Sequence, residues 1–211
     1  MPFTRREYDP IPRPDHQLML DHLPTGKPSW ARREAEHSWI PQSSFAQFDR
    51  EITHIYRVTG RHTAPEQHRS VVRPPFRAPH HTISPEMLRG SFRDGWRWTP
   101  GELSLAHGGV LFLDGIHEFN AHTLDTIRVT MQTRVIHYGN VDGPAYEVPC
   151  IFRLLVGGTL CPCGHHGAAL KRCMCSAESV KRHQARIPLW IRENCKLVHA
   201  PNCAPGALNA E

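Results

Sequence analysis

The chain has 211 residues, 39% of them hydrophobic, and its 19 Pro and 15 Gly interrupt it often. Twenty-five Lys and Arg against 20 Asp and Glu leave a formal charge of +5, a mildly basic balance that suits polyanions without identifying one. The longest apolar runs, such as Val110-Leu111-Phe112-Leu113, fall far short of the ~18 residues of a membrane span. The start, Met1-Pro2-Phe3-Thr4-Arg5-Arg6, has no signal-peptide pattern, so a cytoplasmic protein is expected.

Residues 1–14 are Pro-rich and charged and read as a disordered lead-in. Gln17 to Leu20 is a short apolar strand, and Trp30 to Trp39 reads as a helix with few apolar positions. Ile52, Ile55 and Tyr56 follow at helical spacing. From Thr59 to Pro79 the chain is basic, punctuated by Pro, and reads as loop. Val110-Leu111-Phe112-Leu113 is a buried parallel strand that ends at Asp114. Asn120 to Thr133 is an amphipathic helix with Leu124, Ile127 and Met131 on one face. Val135 to Tyr138, a Gly-Asn-Val-Asp-Gly turn and Tyr146 to Val148 predict a β-hairpin. Ile151 to Val156 is a second buried strand, interrupted by Arg153, and a basic helix runs from Ala177 to about Arg186. Strand and helix alternate, which predicts an α/β fold around a parallel sheet.

Two features carry chemistry on their own. An apolar strand capped by an acid places one carboxylate at the sheet edge, where Mg²⁺ and phosphate are handled; a plain strand ending in a turn has the same pattern. The seven Cys are odd in number and bunched late, which reads as reduced thiols or metal ligands. Cys161-x-Cys163 and Cys173-x-Cys175, with nine residues between, could supply four thiolates to a tetrahedral Zn²⁺. His165 and His166 are alternate ligands, and buried structural thiols are the competing explanation. Cys150, Cys195 and Cys203 read as ordinary thiols.

Three longer strings occur together and in order: Arg73-Pro74-Pro75-Phe76-Arg77-Ala78-Pro79-His80-His81, then Pro100-Gly101-Glu102-Leu103-Ser104-Leu105-Ala106-His107 running on to Asp114, then the two cysteine pairs. They resemble the magnesium-chelatase-like AAA+ ATPases of the competence protein M type. The resemblance runs from about residue 15 to about 201, leaving 202–211 as a tail. It implies a three-layer P-loop-type AAA+ core with a β-hairpin insert, binding ATP and Mg²⁺ in a ring of subunits that works on DNA. In this frame Gly26 and Lys27 belong to the phosphate loop, Asp114 is the Mg²⁺-side carboxylate and Thr159 stands at the first sensor. Arg192 stands at the arginine finger that serves a neighbouring subunit. The family's helical lid falls after the matched stretch, so a core without its lid is expected.

The same frame shows departures. Asp21 and Pro24 replace glycines of the phosphate loop, and Pro28 takes the place of the Mg²⁺-binding hydroxyl. Gly115 takes the place of the water-orienting glutamate, while Glu118 matches a glutamate that the family also carries. These changes imply a pseudo-ATPase, or a non-catalytic zinc-containing partner of an intact ring, or a decayed fragment. Lys171, Arg172, Lys181, Arg182, His183, Arg186 and Arg192 make the last third basic, which suits either DNA or a solvated helix face.

Overall fold

Three apolar stretches, Gln17–Asp21 (β1), Val110–Leu113 (β5) and Arg153–Thr159 (β8), lie side by side at the centre of a parallel sheet. The computed structural model describes residues 14–21, 26–37, 39–41, 44–59, 74–93, 97–138, 146–168 and 171–198. Phe76–Arg77 (β2) and Lys196–Val198 (β9) complete the sheet in the order β2-β5-β8-β1-β9, with every pairing parallel. Successive side chains of a strand point to opposite faces, and here both faces are dry. Leu18, Leu20, Leu111, Leu113, Leu154 and Val156 join one apolar cluster, while Met19, Val110, Phe112 and Leu155 join another. Burial on both faces is why these strands read as unbroken apolar runs.

Helices cover the two faces. Lys27–Glu36 (α1) lays Trp30, Ala31 and Ala35 on one of them. Ala121–Thr133 (α5) brings Leu124 and Ile127 to the other, joined by Ile191 of Leu189–Asn194 (α7). The architecture is therefore the three-layer α/β core that the sequence predicts. Asn120 starts α5 by accepting the Thr123 N–H at 2.8 Å, and Arg134 ends it in a left-handed conformation. Among the described residues, no helix is long and apolar enough to cross a membrane.

The conspicuous sequence strings turn out to be joinery. Arg77 donates two hydrogen bonds of 2.6 Å to Glu102 at the head of Glu102–Leu105 (α4), tying the first string to the second. Buried His107 donates from Nε2 to Glu51 at 2.9 Å, and its Nδ1 accepts the Ile151 N–H at 3.1 Å. Glu51 belongs to Phe45–Val58 (α2), whose Tyr56 hydroxyl donates to the Leu105 carbonyl at 2.9 Å. Arg153 is tolerated inside β8 because it bonds Glu34 and the Asp15 carbonyl, each at 2.8 Å.

Some elements differ from expectation. The helix α1 begins at Lys27 rather than Trp30. The stretch read as loop contains β2, a two-residue strand that borrows its pairing from β5 and so leaves no pattern of its own. A short helix, Pro85–Arg89 (α3), a second hairpin, Gly90–Arg93 (β3) with Arg97–Pro100 (β4), and the short edge strand β9 were not predicted. The predicted hairpin is present as Val135–Tyr138 (β6) against Tyr146–Pro149 (β7), but its Gly-Asn-Val-Asp-Gly turn lies outside the described residues. So do residues 1–13, Pro24, Arg73 and Cys203.

Candidate functional site

The central strands end at a common edge, and a cleft of about 1090 Å³ opens there. Parallel α/β sheets place their ligand crevices at this edge. Gly26 precedes α1 in a left-handed conformation, which points the first helical residue, Lys27, over the strand ends. Lys27, Asp114 and Thr159 all line the cleft, so the structure brings together three of the residues singled out from the sequence.

Lys27 and Asp114 belong to elements separated by β8, and the strand between them must be thin there. Gly157 provides this. A methyl group added to it would lie 3.1 Å from Asp114 Oδ1 and 3.2 Å from Lys27 Cδ. The Lys27 side chain is buried, and that desolvation lowers its pKa; the carboxylates of Asp21 and Asp114 act in the opposite direction and hold the proton on. Gly115 follows Asp114 with φ +69°, a conformation that L side chains rarely adopt. Glu118 Oε1 would lie 3.3 Å from a Cβ at that position, and its carboxylate pairs with His81 Nε2 at 3.0 Å.

The opposite wall was not anticipated. Ala177–Ala185 (α6) turns Ser179, Arg182 and His183 toward the cleft, with Arg186 just after it. His117 donates from Nε2 to the Thr159 carbonyl at 2.9 Å, and His183 Nε2 is hydrogen-bonded to the Thr159 hydroxyl at 3.0 Å. The two imidazoles lie against each other with centroids 3.7 Å apart, their planes tilted by 33°. Burial, reinforced by the neighbouring His183, pushes the His117 pKa down to about 4, and burial also lowers that of His183. Both rings are therefore neutral at pH 7, and His117 Nδ1 has no hydrogen-bond partner among the described residues. Only the spacing of Ser179, Arg182, His183 and Arg186, one stripe of a helix, could have signalled this wall.

Arg192 stands elsewhere. It is exposed on α7, does not line the cleft, and donates to the Gln184 carbonyl.

Immediately beyond β8 the four cysteines gather. The sulfurs of Cys161, Cys163, Cys173 and Cys175 all lie within 4.8 Å of one another. Cys161 to Cys163 is 3.4 Å, and Cys173 stands 3.6 Å from each of them. A tetrahedron of sulfurs around Zn²⁺ has edges of about 3.8 Å, so the donor set fits that ion. The N–H groups of His166 and Cys175 donate to Cys161 and Cys173 sulfurs, at 3.2 and 3.4 Å. The His165 N–H, above all, brings the Cys163 thiol down to about 6. Cys173 is favoured as thiolate by the Cys175 N–H, yet desolvation and its sulfur neighbours raise it to about 12. One thiolate thus forms readily and resists a second, a repulsion that a divalent cation would remove. Cys150 and Cys195 are core thiols raised by burial, the latter to about 12.

Comparison with known proteins follows the same outline. Residues 14–200 match the family model described as magnesium chelatase, subunit ChlI. An uncharacterized protein of Mycobacterium tuberculosis is 33% identical over 185 residues, covering 86% of this chain and 35% of that protein. The uncharacterized protein YifB of Escherichia coli is 39% identical over 138 residues, 64% of this chain and 26% of YifB. The competence protein ComM of Haemophilus influenzae is 34% identical over 113 residues, 54% of this chain and 21% of ComM. The chain therefore spans 35% or less of the length of these relatives. The crystal structure of NtrX from Brucella abortus superimposes with a TM-score of 0.51 at 16% identity, covering 89% of this chain and 32% of that one, a likeness of fold.

Proposed function

The chain belongs to the magnesium chelatase, subunit ChlI family of AAA+ proteins, and from this premise we propose that it is a module of an AAA+ assembly that keeps the scaffold of a nucleotide site but does not hydrolyse ATP. The observation that carries this reading is the wall of the cleft itself. Pro28 lines it beside Lys27 and offers neither hydroxyl nor N–H, and Gly115 lines it beside Asp114 and offers no carboxylate. Lys27 is already engaged by the fields of Asp21 and Asp114. Phosphoryl transfer requires a held metal ion, positioned phosphates and an oriented water. These residues do not fit Mg²⁺-ATP poised for that reaction.

The test is phosphate release by the full chain with ATP and Mg²⁺, beside an Asp114→Ala variant. Background rates in both are expected; turnover that disappears in the variant would refute the reading. Titration with a fluorescent ATP analogue, with and without Mg²⁺, reports any remaining binding, which Lys27→Ala should weaken.

A second reading concerns the company the module keeps. Arg192 is exposed and does not line its own cleft, a placement that supports service to the nucleotide of an intact neighbour in a ring engaged in DNA processing. The four sulfurs support a Zn²⁺ site, held reduced in the cytoplasm. Purified protein should carry close to one zinc per chain and lose it in a Cys163→Ser, Cys173→Ser variant. Co-purification with an intact homologue, and a fall in that homologue's ATPase rate with Arg192→Ala, would bear on the ring.

A further inference from the structure

Helix α6 forms a wall of the cleft, and its nearest apolar anchor is Ile187, two residues beyond its end. None of its nine residues is buried, and a helix this short is marginal by itself in water. Among the described residues, none of 161–168 or 171–186 joins an apolar cluster. Polar contacts tie α6 to its surroundings: His183 on Thr159, the Gln184 amide donating to the Leu160 carbonyl at 3.1 Å, the His117 ring against His183, and Arg192 on the Gln184 carbonyl. Elements held this way are the ones that open locally.

The cysteine loop joins β8 to this helix. Cys161 follows the end of β8 by two residues, and Cys175 immediately precedes Ser176, whose hydroxyl caps α6 by accepting the Ser179 N–H at 3.2 Å. A cation joining Cys161 to Cys175 therefore pins the start of α6 to the end of the strand that carries Thr159. Resting on the zinc reading above, we infer that metal binding by Cys161, Cys163, Cys173 and Cys175 is what docks α6 on β8 and so builds the basic wall of the cleft. Without the metal α6 is released while the sheet and its apolar clusters persist. The free energy of a four-thiolate zinc site is folding free energy for whatever segment it organises, and here that segment ends one residue before the helix cap.

Hydrogen–deuterium exchange on the full chain tests this, zinc-loaded against chelator-treated. Amides of 177–186 are expected to exchange roughly tenfold faster or more after metal removal, with those of α5 unchanged. The Cys163→Ser, Cys173→Ser variant should reproduce the chelated pattern, and wild-type chelation gives the comparison even if that variant fails to fold. In zinc-loaded His183→Ala, α6 should remain protected. Equal release of α6 in that variant and on chelation would show that the polar contacts do the docking, and would overturn the inference. Protein that binds zinc yet protects α6 equally without it overturns the inference and leaves the zinc site standing. Loss of protection in α5 together with α6 makes the metal a global staple and also overturns it. A chain that takes up no zinc refutes both.

Discussion

Acidification from about pH 6.5 to about pH 4 should destabilise the fold through one ring, His117. Burial is the main force that keeps its imidazolium from forming, His183 and Arg186 add like-charge repulsion, and the pKa falls from 6.5 to about 4. The unfolded chain takes up this proton near 6.5, whereas the folded chain resists it until about 4. Across that window the unfolded state binds more protons, so stability is present above it and is lost as the pH falls. The full difference corresponds to about 3–4 kcal/mol, at about 1.4 kcal/mol per pH unit. Part of the ring faces the cleft and its solvent, and screening reduces the expectation to about 2 kcal/mol. Urea unfolding of wild type and His117→Gln, from about pH 7.5 to about pH 4, isolates this ring and its coupling to His183 from the more distant groups common to both proteins. The glutamine retains an N–H for the Thr159 carbonyl that His117 now serves. The variant should gain on wild type by about 2 kcal/mol over the window. A gap that stays constant within about 0.5 kcal/mol would refute the argument.

Two further outcomes are expected. Arg77→Ala and Glu102→Ala should each cost about 2–3 kcal/mol, because each strands a charged partner whose side chain is only 23% exposed. A double-mutant cycle by urea unfolding should show coupling of about 1 kcal/mol or more, and simple additivity would dismiss the pair as a staple. Gly115→Glu should not create ATP turnover, since φ +69° costs a side chain about 1–2 kcal/mol there and Pro28 is unchanged; phosphate release by this variant would locate the whole defect at residue 115.

What the sequence discloses depends on where each signal resides. β5, β8 and α5 were legible because burial on both sheet faces, or on one helix stripe, writes itself into consecutive residues. β2 and β9 were not, since two or three residues at a sheet edge take their structure from a neighbour rather than from a pattern. At the site, Lys27 and Asp114 could be placed from their strings, and the paired cysteines announced a cluster. His117 and His183 could not be joined in advance: they lie in unrelated segments and meet only because both reach Thr159. The basic stripe of α6 was visible, but a charged stripe reads the same whether it faces water or a cleft.

The bond between Arg77 and Glu102 separates ancestry from activity. The first two strings that make this chain recognisable are fastened to each other by that pair, and His107 of the second is fastened to Glu51 of α2, so a lineage that abandons turnover would still need them in order to fold. If the proposed loss of turnover holds, kinship detected through such strings outlasts the chemistry. In a mixed ring, counting recognisable subunits would overestimate the number of firing sites. On that reading the identities at 28 and 115, two positions that line the cleft, would give the truer census.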